Sequence, residues 1–278
     1  MNINYDFSLS KCLDDYSILE KIADTNPSLS VNSDFEGSLS EPVISILCSK
    51  GRIFEYCFPN LNKGRKVFFN VKENVSFPSN VQYDRSVSIP VNIYKMRSID
   101  ILDCLSKDTQ GVYLGILGSD IFYESAQQDD FVVCKRFKSN NIGFCFAGKK
   151  DDDLCENSKL WKDFLNGETE ITIATSYPKI LKKVLTRKFG DKLKYEILNV
   201  SGCVESTLFL NVDKKANFIF DIVETGRTLR ENNLEVYGLN GTNKTVFKSD
   251  DLSDLKVECI DYFLIKKNIQ TKEEMKSR

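Results

Sequence analysis

The sequence is organised around the stretch FIFDIVETGRTL, residues 218–229. Its first half is apolar, aromatic or β-branched apart from one aspartate, which predicts a buried strand. The pattern then breaks and resumes at residues 229–234, which predicts a short helix. Such a strand, turn and helix start leave backbone N–H groups free at the turn, where Gly226 lets a phosphate approach closely. Thr225 and Thr228 add hydroxyl donors, so the stretch predicts an anion-binding turn.

Two acidic side chains lie just upstream of this turn. Asp221 and Glu224 are able to accept hydrogen bonds from the vicinal hydroxyls of a ribose. Together with the turn they indicate a binding site for ribose 5-phosphate. An ordinary strand-to-helix turn with a threonine cap accounts for the same residues. Short phosphate-loop patterns carry many false positives, so the spacing alone leaves both interpretations open.

Length and composition indicate a soluble globular protein. The chain has 278 residues, enough for one large or two small α/β domains. Its formal net charge of −2 gives no basic footprint, so nucleic acid is not the expected partner. No apolar segment is long enough to span a bilayer, and the N-terminus lacks the features of a signal peptide. We therefore expect a cytoplasmic protein with no membrane contact.

The chain contains no histidine. This excludes Ser-His-Asp and Cys-His mechanisms and histidine-bearing zinc sites. The nine cysteines are an odd number without Cys-x-x-Cys spacing, and they are interpreted as small buried hydrophobic residues, with a metal or catalytic thiol as the minority alternative. Chemistry must then depend on Arg, Lys, Asp, Glu, Thr, backbone donors or Mg²⁺ held by carboxylate and phosphate.

Other predicted strands also end in polar residues. One leads into Lys50, Gly51 and Arg52, whose cations are suited to phosphate, although a solvated basic turn is the alternative. Asp120 opens a helix after a glycine-rich strand, and Thr175 ends another short strand. Because strands alternate with helical patterns along the chain, we predict an α/β fold with mostly parallel sheets and a ligand site at the strand ends.

Six motifs occur in the order found in one protein family. They are SKGR at 49–52, RSIDI at 97–101, LGILGSD at 114–120, IATSYP at 173–178, GCVE at 202–205 and DIVETGRTLRENNL at 221–234. Over roughly residues 43–275 the chain resembles the catalytic subunit of ATP phosphoribosyltransferase, the first enzyme of histidine biosynthesis. It is similar to the short form of that subunit, because the sequence ends soon after the phosphate loop, without the family's C-terminal regulatory domain.

The resemblance implies a fold and a division into domains. The family has two α/β domains with an interdomain cleft, like the type II periplasmic binding proteins. On this basis residues 1–42 form an N-terminal extension, and residues 43–135 plus 236–278 form domain I. Residues 136–235 form domain II, which carries the phosphoribosyl-binding loop. The active site is expected in the cleft.

The resemblance also implies a reaction and its residues. N1 of ATP attacks C1 of phosphoribosyl pyrophosphate, pyrophosphate leaves, and phosphoribosyl-ATP forms. Arg52 and Arg65 correspond to catalytic arginines, and Mg²⁺ is expected to be held mainly by the substrate pyrophosphate, with no protein ligand assigned. The expected substrate-binding residues are Lys50, Gly51, Arg97, Asp120, Thr175, Tyr177, Glu205, Asp221, Glu224, Thr225, Gly226, Arg227, Thr228 and Leu229.

Partners and alternatives follow from the same resemblance. In the short form, a regulatory subunit similar to histidyl-tRNA synthetase supplies histidine feedback, so we expect a hetero-oligomer in which this chain also dimerises. Two alternatives remain open. One is a catalytically weakened relative that still assembles with the partner, and the other is a nucleotide-sensing binding module of the same fold. Retention of Lys50 and Arg52 favours the enzyme, because a sensor needs no cations for a leaving group.

Overall fold

The computed structural model describes residues 44–50, 53–54, 71–78, 86–107, 112–139, 142–152, 156–210, 215–252 and 254–267. The N-terminal extension, Gly51, Arg52 and Arg65 lie outside these ranges. Among the helices that the structure describes, none is long and apolar enough to cross a membrane.

Strands and helices alternate through most of the described chain. The strands are β1 (Ile44–Ser49), β2 (Val71–Pro78), β3 (Ser86–Met96), β4 (Val112–Gly118), β5 (Phe131–Phe137), β6 (Gly143–Lys149), β7 (Glu170–Thr175), β8 (Lys194–Asn199), β9 (Phe218–Val223), β10 (Leu234–Tyr237), β11 (Asn243–Thr245), β12 (Glu258–Cys259) and β13 (Tyr262–Lys267). The α-helices are α1 (Ser98–Ser106), α2 (Ser119–Glu124), α3 (Asn157–Asn166), α4 (Pro178–Phe189) and α5 (Arg227–Glu231). Short 3₁₀ helices occupy Gln128–Asp130, Val204–Phe209 and Ser249–Leu252.

The chain divides into two compact units, each built on its own sheet. The first takes the residues up to Phe137 and from Tyr262 onward, and the second is Lys138–Asp261. The sheet of the first unit has the order β2-β3-β1-β4-β13-β5, and that of the second has the order β11-β10-β6-β9-β7-β8 with β12 beside β6.

Both sheets repeat one arrangement of five strands. In the first, β1 runs parallel to β3 and β4, while β13 runs antiparallel to β4 and β5. In the second, β7 runs parallel to β8 and β9, while β6 runs antiparallel to β9 and β10. The prediction of an α/β fold made of two α/β domains, resembling the type II periplasmic-binding-protein fold, is therefore confirmed.

The prediction of mostly parallel sheets is wrong for the described strands. The chain enters β6 directly after the first unit and β13 directly after the second, and each of these strands runs antiparallel to both of its main neighbours. The β2–β3 hairpin adds another antiparallel pair. Apolar patterning predicts a strand without giving its direction. The alternation of strands with helices therefore does not establish that neighbouring strands are parallel.

The boundaries of the units differ in one place from those predicted. The first crossing, between Phe137 and Lys138, lies close to the predicted 135/136. The second lies between Asp261 and Tyr262, whereas domain I was expected to resume at residue 236. The difference arises because β10 and β12 both pair with β6, which keeps these strands in the second unit.

The second unit buries a separate apolar cluster on each face of its sheet, because successive side chains of a strand point to opposite faces. We call the cluster under α3 and α4 the aromatic core; it includes Phe144, Phe146, Trp161, Phe164, Phe218 and Phe220. We call the cluster on the opposite face the aliphatic core; it includes Cys145, Ala147, Ile219, Val223, Leu229, Val246 and Leu252. Because α5 packs through Leu229 into the aliphatic core, the predicted anion-binding turn belongs to that face.

Candidate functional site

A pocket of about 460 Å³ lies on the aliphatic-core face of the second unit. Its floor comes from β6 and β9, and its rim comes from the turn between β9 and α5 and from the 3₁₀ helix that begins at Val204. The lining residues are Cys145, Ala147, Glu205, Ile219, Asp221, Ile222, Val223, Glu224, Thr225, Gly226, Arg227, Thr228 and Leu229. Eight of the sixteen residues predicted for the site are thus collected around one pocket: Glu205, Asp221, Glu224, Thr225, Gly226, Arg227, Thr228 and Leu229.

Gly226 gives the rim its shape. Its φ of 68° lies in the left-handed region that favours glycine. A Cβ at this position would lie 2.7 Å from Val246 Cγ1, so a larger residue has no room. The turn therefore holds its backbone against the aliphatic core, and α5 begins at the next residue with its first N–H groups unpaired within the helix.

Arg230 of α5 holds the turn in place, and Asn232, the residue that caps α5, holds the helix. Arg230 Nη1 donates to the Thr225 carbonyl oxygen at 2.8 Å, and Asn232 Nδ2 donates to the Thr228 carbonyl oxygen at 2.9 Å. The side chains of Thr225 and Thr228 are exposed at the rim. These contacts occupy carbonyl oxygens, whereas the Thr225 hydroxyl oxygen accepts a 3.4 Å hydrogen bond from the Arg227 backbone N–H.

Asp221 lies at the floor of the pocket, half-buried on β9. Its Oδ1 accepts a hydrogen bond from the Ile222 backbone N–H at 2.7 Å. The pKa of this carboxyl is raised from 3.8 to about 6, mainly by burial and also by the nearby Glu205 carboxylate, while the hydrogen bond from Ile222 lowers it. An ionised carboxylate in this half-buried position is unfavourable without hydrogen-bond donors. It is therefore well suited to accept hydrogen bonds from ligand hydroxyls.

Glu205 reaches the pocket because the chain turns sharply before it. Gly202 and Cys203 both have left-handed backbone angles, with φ of 76° and 49°. The 3₁₀ helix that follows places Glu205 at the pocket wall and buries Val204 and Leu208 in the aliphatic core. The motif GCVE therefore shapes the backbone of this turn and also supplies Glu205, a candidate substrate-binding residue.

Arg227 lines the pocket through its position in the first turn of α5, but its side chain is engaged elsewhere. Its Nε lies 2.6 Å from Glu231 Oε1, one helical turn onward, and both side chains are largely exposed. In this state the guanidinium supports α5.

Thr175 and Tyr177 do not line this pocket. Thr175 is fully buried at the end of β7, and its Oγ1 accepts a hydrogen bond from the Tyr177 N–H at 2.9 Å. The Tyr177 ring packs edge-on against Phe144, with 5.0 Å between ring centroids, at the aromatic core on the opposite face. In the structure Tyr177 is the N-cap of α4, and the Thr175 hydroxyl fixes its backbone N–H.

The described candidates of the first unit lie just beyond the C-terminal ends of neighbouring strands in its sheet. Lys50, Arg97 and Asp120 follow β1, β3 and β4, and these three strands are parallel neighbours. Arg97 makes two hydrogen bonds to Asp100, of 2.7 and 2.9 Å, and this pair lowers the pKa of the Asp100 carboxyl. Lys50 is exposed, and Asp120 is buried at the start of α2.

The donor set of the pocket is compatible with Mg²⁺. Glu205, Asp221 and Glu224 offer carboxylate oxygens, the ligand type that this ion prefers. Among the described residues, however, no three acidic, cysteine or histidine side chains form a group able to hold a metal by themselves. An ion bound here would need ligands from a substrate or from water as well.

The residues behind the turn were not predicted as part of the site. Val246 and Leu252 come from a hairpin strand end and a 3₁₀ helix, and both pack close to Gly226. Cys145 lines the floor, where burial raises the pKa of its thiol to about 12. No local motif marks these residues, because their role depends on contacts between distant parts of the chain.

Comparisons of the sequence with known proteins identify one family. Residues 97–254 match the family model described as HisG: ATP phosphoribosyltransferase. An ATP phosphoribosyltransferase of Clostridium kluyveri is 31% identical over 209 residues, covering 71% of this chain and 79% of that protein. One of Dictyoglomus turgidum is 39% identical over 128 residues, covering 45% of this chain and 52% of that protein. A solved ATP phosphoribosyl transferase (HisG:HisZ) complex from Thermotoga maritima has 19% identity and a TM-score of 0.48, covering 84% of this chain and 92% of that chain.

Proposed function

Because the chain belongs to the ATP phosphoribosyltransferase family, we propose that it catalyses transfer of a phosphoribosyl group from phosphoribosyl pyrophosphate to N1 of ATP. The products are phosphoribosyl-ATP and pyrophosphate, and the reaction is the first step of histidine biosynthesis. One observation supports this most directly. The turn at Gly226 and the carboxyls of Asp221 and Glu224 line one pocket.

The pocket suits each part of a ribose 5-phosphate. The 5-phosphate accepts hydrogen bonds from the backbone N–H groups at the start of α5 and from the hydroxyls of Thr225 and Thr228. The ribose hydroxyls donate to Asp221 and Glu224. Burial removes water from the Asp221 carboxylate, and the ribose hydroxyls replace the hydrogen bonds lost with that water.

The chemistry needs no general base. Adenine N1 carries a free lone pair, so the absence of histidine removes nothing that the reaction requires. The harder task is to stabilise an oxocarbenium-like C1 and the departing pyrophosphate, which calls for fixed positive charge. We assign this task to Arg52 and Arg65, and we assign substrate contacts to Lys50, Gly51, Arg97 and Asp120, as the family resemblance implies. Thr175 is fully buried and Tyr177 packs on the opposite face, so we assign these two residues to support of the sheet and of α4.

Mg²⁺ is the proposed cofactor, since carboxylate oxygens line the pocket. Bound mainly through the substrate pyrophosphate, such an ion would neutralise charge on the leaving group. The residues of this chain hold the sugar and its phosphate in a fixed orientation next to the carboxylate oxygens of the pocket.

A turnover assay tests the proposal. Protein, ATP, phosphoribosyl pyrophosphate and Mg²⁺ are mixed with pyrophosphatase, and phosphoribosyl-ATP is followed by absorbance. We expect turnover, and we expect Thr225→Ala to raise the KM for phosphoribosyl pyrophosphate severalfold by removing a phosphate donor. The control is Thr186→Ala, a change of the same type at an exposed position of α4, which should leave KM unchanged.

Two results would contradict parts of this proposal. An unchanged KM for Thr225→Ala would mean that the 5-phosphate binds elsewhere. Binding of phosphoribosyl pyrophosphate without turnover would favour the weakened relative or the nucleotide-sensing module. We also propose a histidyl-tRNA-synthetase-like regulatory subunit and dimerisation of this chain, because the family resemblance implies both. Recovery of turnover on adding such a subunit would support the first of these.

A further inference from the structure

Lys256 is a half-buried lysine of the second unit that no motif marks. It precedes β12, which pairs antiparallel with the start of β6. The Val257 N–H donates to the Phe144 carbonyl oxygen at 2.8 Å, and the Ile260 N–H donates to the Ile142 carbonyl oxygen at 2.9 Å. Lys256 is therefore fixed alongside the first residues of β6.

Gly143 reveals on which face the Lys256 side chain lies. A Cβ on Gly143 would point to the same face as Cys145 and Ala147, the pocket face, because strand residues alternate. That Cβ would lie 2.9 Å from Lys256 Cδ and 3.2 Å from Lys256 Cβ. The stem of Lys256 thus fills the space that Gly143 leaves open on the pocket face. In β9, Val223 pairs with Gly143, and the next residue is Glu224.

Lys256 lies close enough to two residues that line the pocket, Glu224 and Cys145, for their electrostatics to affect its pKa. Burial lowers the pKa of Lys256, while its electrostatic interactions with Cys259, Glu224 and Cys145, in that order, raise it. The interaction with Cys145 is reciprocal, because Lys256 lowers the pKa of that thiol against burial and Asp221. Lys256 also borders a second cavity of about 480 Å³, but its electrostatic partners Glu224 and Cys145 belong to the first pocket.

The pocket needs positive charge. Its described lining contains three carboxyl groups, those of Glu205, Asp221 and Glu224, and one cationic side chain, Arg227. The guanidinium of Arg227 is paired with Glu231. A phosphorylated sugar entering this pocket would add negative charge next to those carboxyls, which costs free energy unless a nearby cation offsets it.

We propose that Lys256 is a positioning residue of this pocket, whose ammonium orients the Glu224 carboxylate and offsets the negative charge around a bound phosphoribosyl group. The inference rests on the proposed function, since it takes phosphoribosyl pyrophosphate as the ligand. The family match ends at residue 254, before Lys256. Arginine at this position would preserve the charge, whereas methionine would preserve only the apolar stem.

The test compares Lys256→Met and Lys256→Arg in the full chain by calorimetric titration with phosphoribosyl pyrophosphate and by steady-state kinetics. We expect Lys256→Met to raise the Kd and the KM for phosphoribosyl pyrophosphate about tenfold, which corresponds to about 1.4 kcal/mol. The KM for ATP should change little. Lys256→Arg should stay close to the wild type, and the Kd of Lys256→Met should depend less steeply on salt. Lys182→Met, an exposed lysine of α4, is the control for loss of a surface charge.

A double-mutant cycle separates positioning from a merely structural effect. In a Glu224→Gln background, Lys256→Met should have at least a threefold smaller effect on Kd, because the charge that it orients is gone. Equal effects in both backgrounds, or an unchanged Kd in Lys256→Met, would overturn the inference while leaving the proposed function intact. A wild-type protein that does not bind phosphoribosyl pyrophosphate would overturn both. If Lys256→Met unfolds, a failure of Lys256→Arg to bind with near-wild-type Kd would count against the proposal.

Discussion

At the scale of single residues, the ionised carboxyl of Asp221 is suited to ligand binding but destabilises the folded protein. Its carboxyl is half-buried, and its pKa is raised from 3.8 to about 6, first by burial and then by Glu205. An acid with a raised folded-state pKa binds its proton more tightly in the folded state than in the unfolded state. Its favourable contribution to the free energy of unfolding is therefore complete below about pH 4 and is lost as the pH rises through about 6.

Asp221→Asn should consequently stabilise the protein at neutral pH. The neutral amide is able to keep the hydrogen bond from the Ile222 N–H without the cost of a half-buried charge. Between pH 4 and pH 7.5, the free energy of unfolding of the variant should gain roughly 1–3 kcal/mol relative to the wild type. Urea titrations at the two pH values measure this, and binding of phosphoribosyl pyrophosphate should weaken in the same variant.

An exposed acid provides the comparison for this experiment. Asp191 is exposed beyond the end of α4, and Asp191→Asn should show no comparable gain with pH. If Asp221→Asn raises the free energy of unfolding equally at pH 4 and at pH 7.5, ionisation of the Asp221 carboxyl does not destabilise the folded protein.

Tyr177 and Asp221 show what sequence can predict at this scale. Both belong to the motifs that carried the family resemblance. Residues 221–229 lie together around one pocket, because the strand, turn and helix are consecutive and local spacing decides their positions. Tyr177 packs on the other face of the same sheet, since the face to which a side chain at a strand end points depends on the tertiary fold.

At the scale of secondary structure elements, the turn between β9 and α5 depends on the hairpin behind it. Gly226 has a left-handed backbone and only 2.7 Å between its absent Cβ and Val246 Cγ1. Gly202 provides a matched comparison, because its φ of 76° is also left-handed but nothing lies within 4 Å of its absent Cβ. The two positions separate backbone strain from loss of space.

Gly226→Ala should therefore destabilise the protein more than Gly202→Ala does. The control carries only the left-handed strain of about 1–2 kcal/mol, whereas Gly226→Ala adds an overpacking cost of typically 1–3 kcal/mol. Urea unfolding measures the difference, and the Kd for phosphoribosyl pyrophosphate should rise more in Gly226→Ala than in Gly202→Ala. Equal destabilisation by the two changes would show that Val246 and Leu252 yield easily and do not fix the turn.

Elements were easier to predict than their pairing. The strands at β1, β7 and β9 were expected close to where they lie, because their apolar runs are short and bounded by polar turns. The helix after the phosphate turn was expected to reach Leu234, yet α5 ends at Glu231 and Leu234 begins β10. The sequence there satisfies a helical pattern, but pairing of β10 with β6 decides the outcome, and that partner lies far away in the chain.

At the scale of the whole molecule, the second unit is one continuous piece of chain whose two ends are held together. The Ser139 N–H donates to Asp261 Oδ1 at 2.9 Å in a buried contact, and the Ile260 N–H donates to the Ile142 carbonyl oxygen at 2.9 Å. The unit also has its own sheet and its own core on each face of that sheet. A continuous segment with paired ends and a complete core is the kind of unit that folds alone.

Residues 138–261, expressed alone, should therefore fold and bind phosphoribosyl pyrophosphate without catalysing turnover, because the first unit with its predicted Lys50, Arg52 and Arg97 is missing. Trp161 is the chain's single tryptophan and is fully buried in the aromatic core, so its fluorescence reports the folding of this unit in both proteins. We expect one cooperative urea transition for the fragment, near the tryptophan transition of the full chain. Thr225→Ala in the fragment should weaken binding as it does in the full chain. A folded fragment that does not bind would mean that the pocket at Gly226 needs residues outside 138–261 to hold the sugar phosphate, and an unfolded fragment would mean that the first unit contributes to the stability of the second.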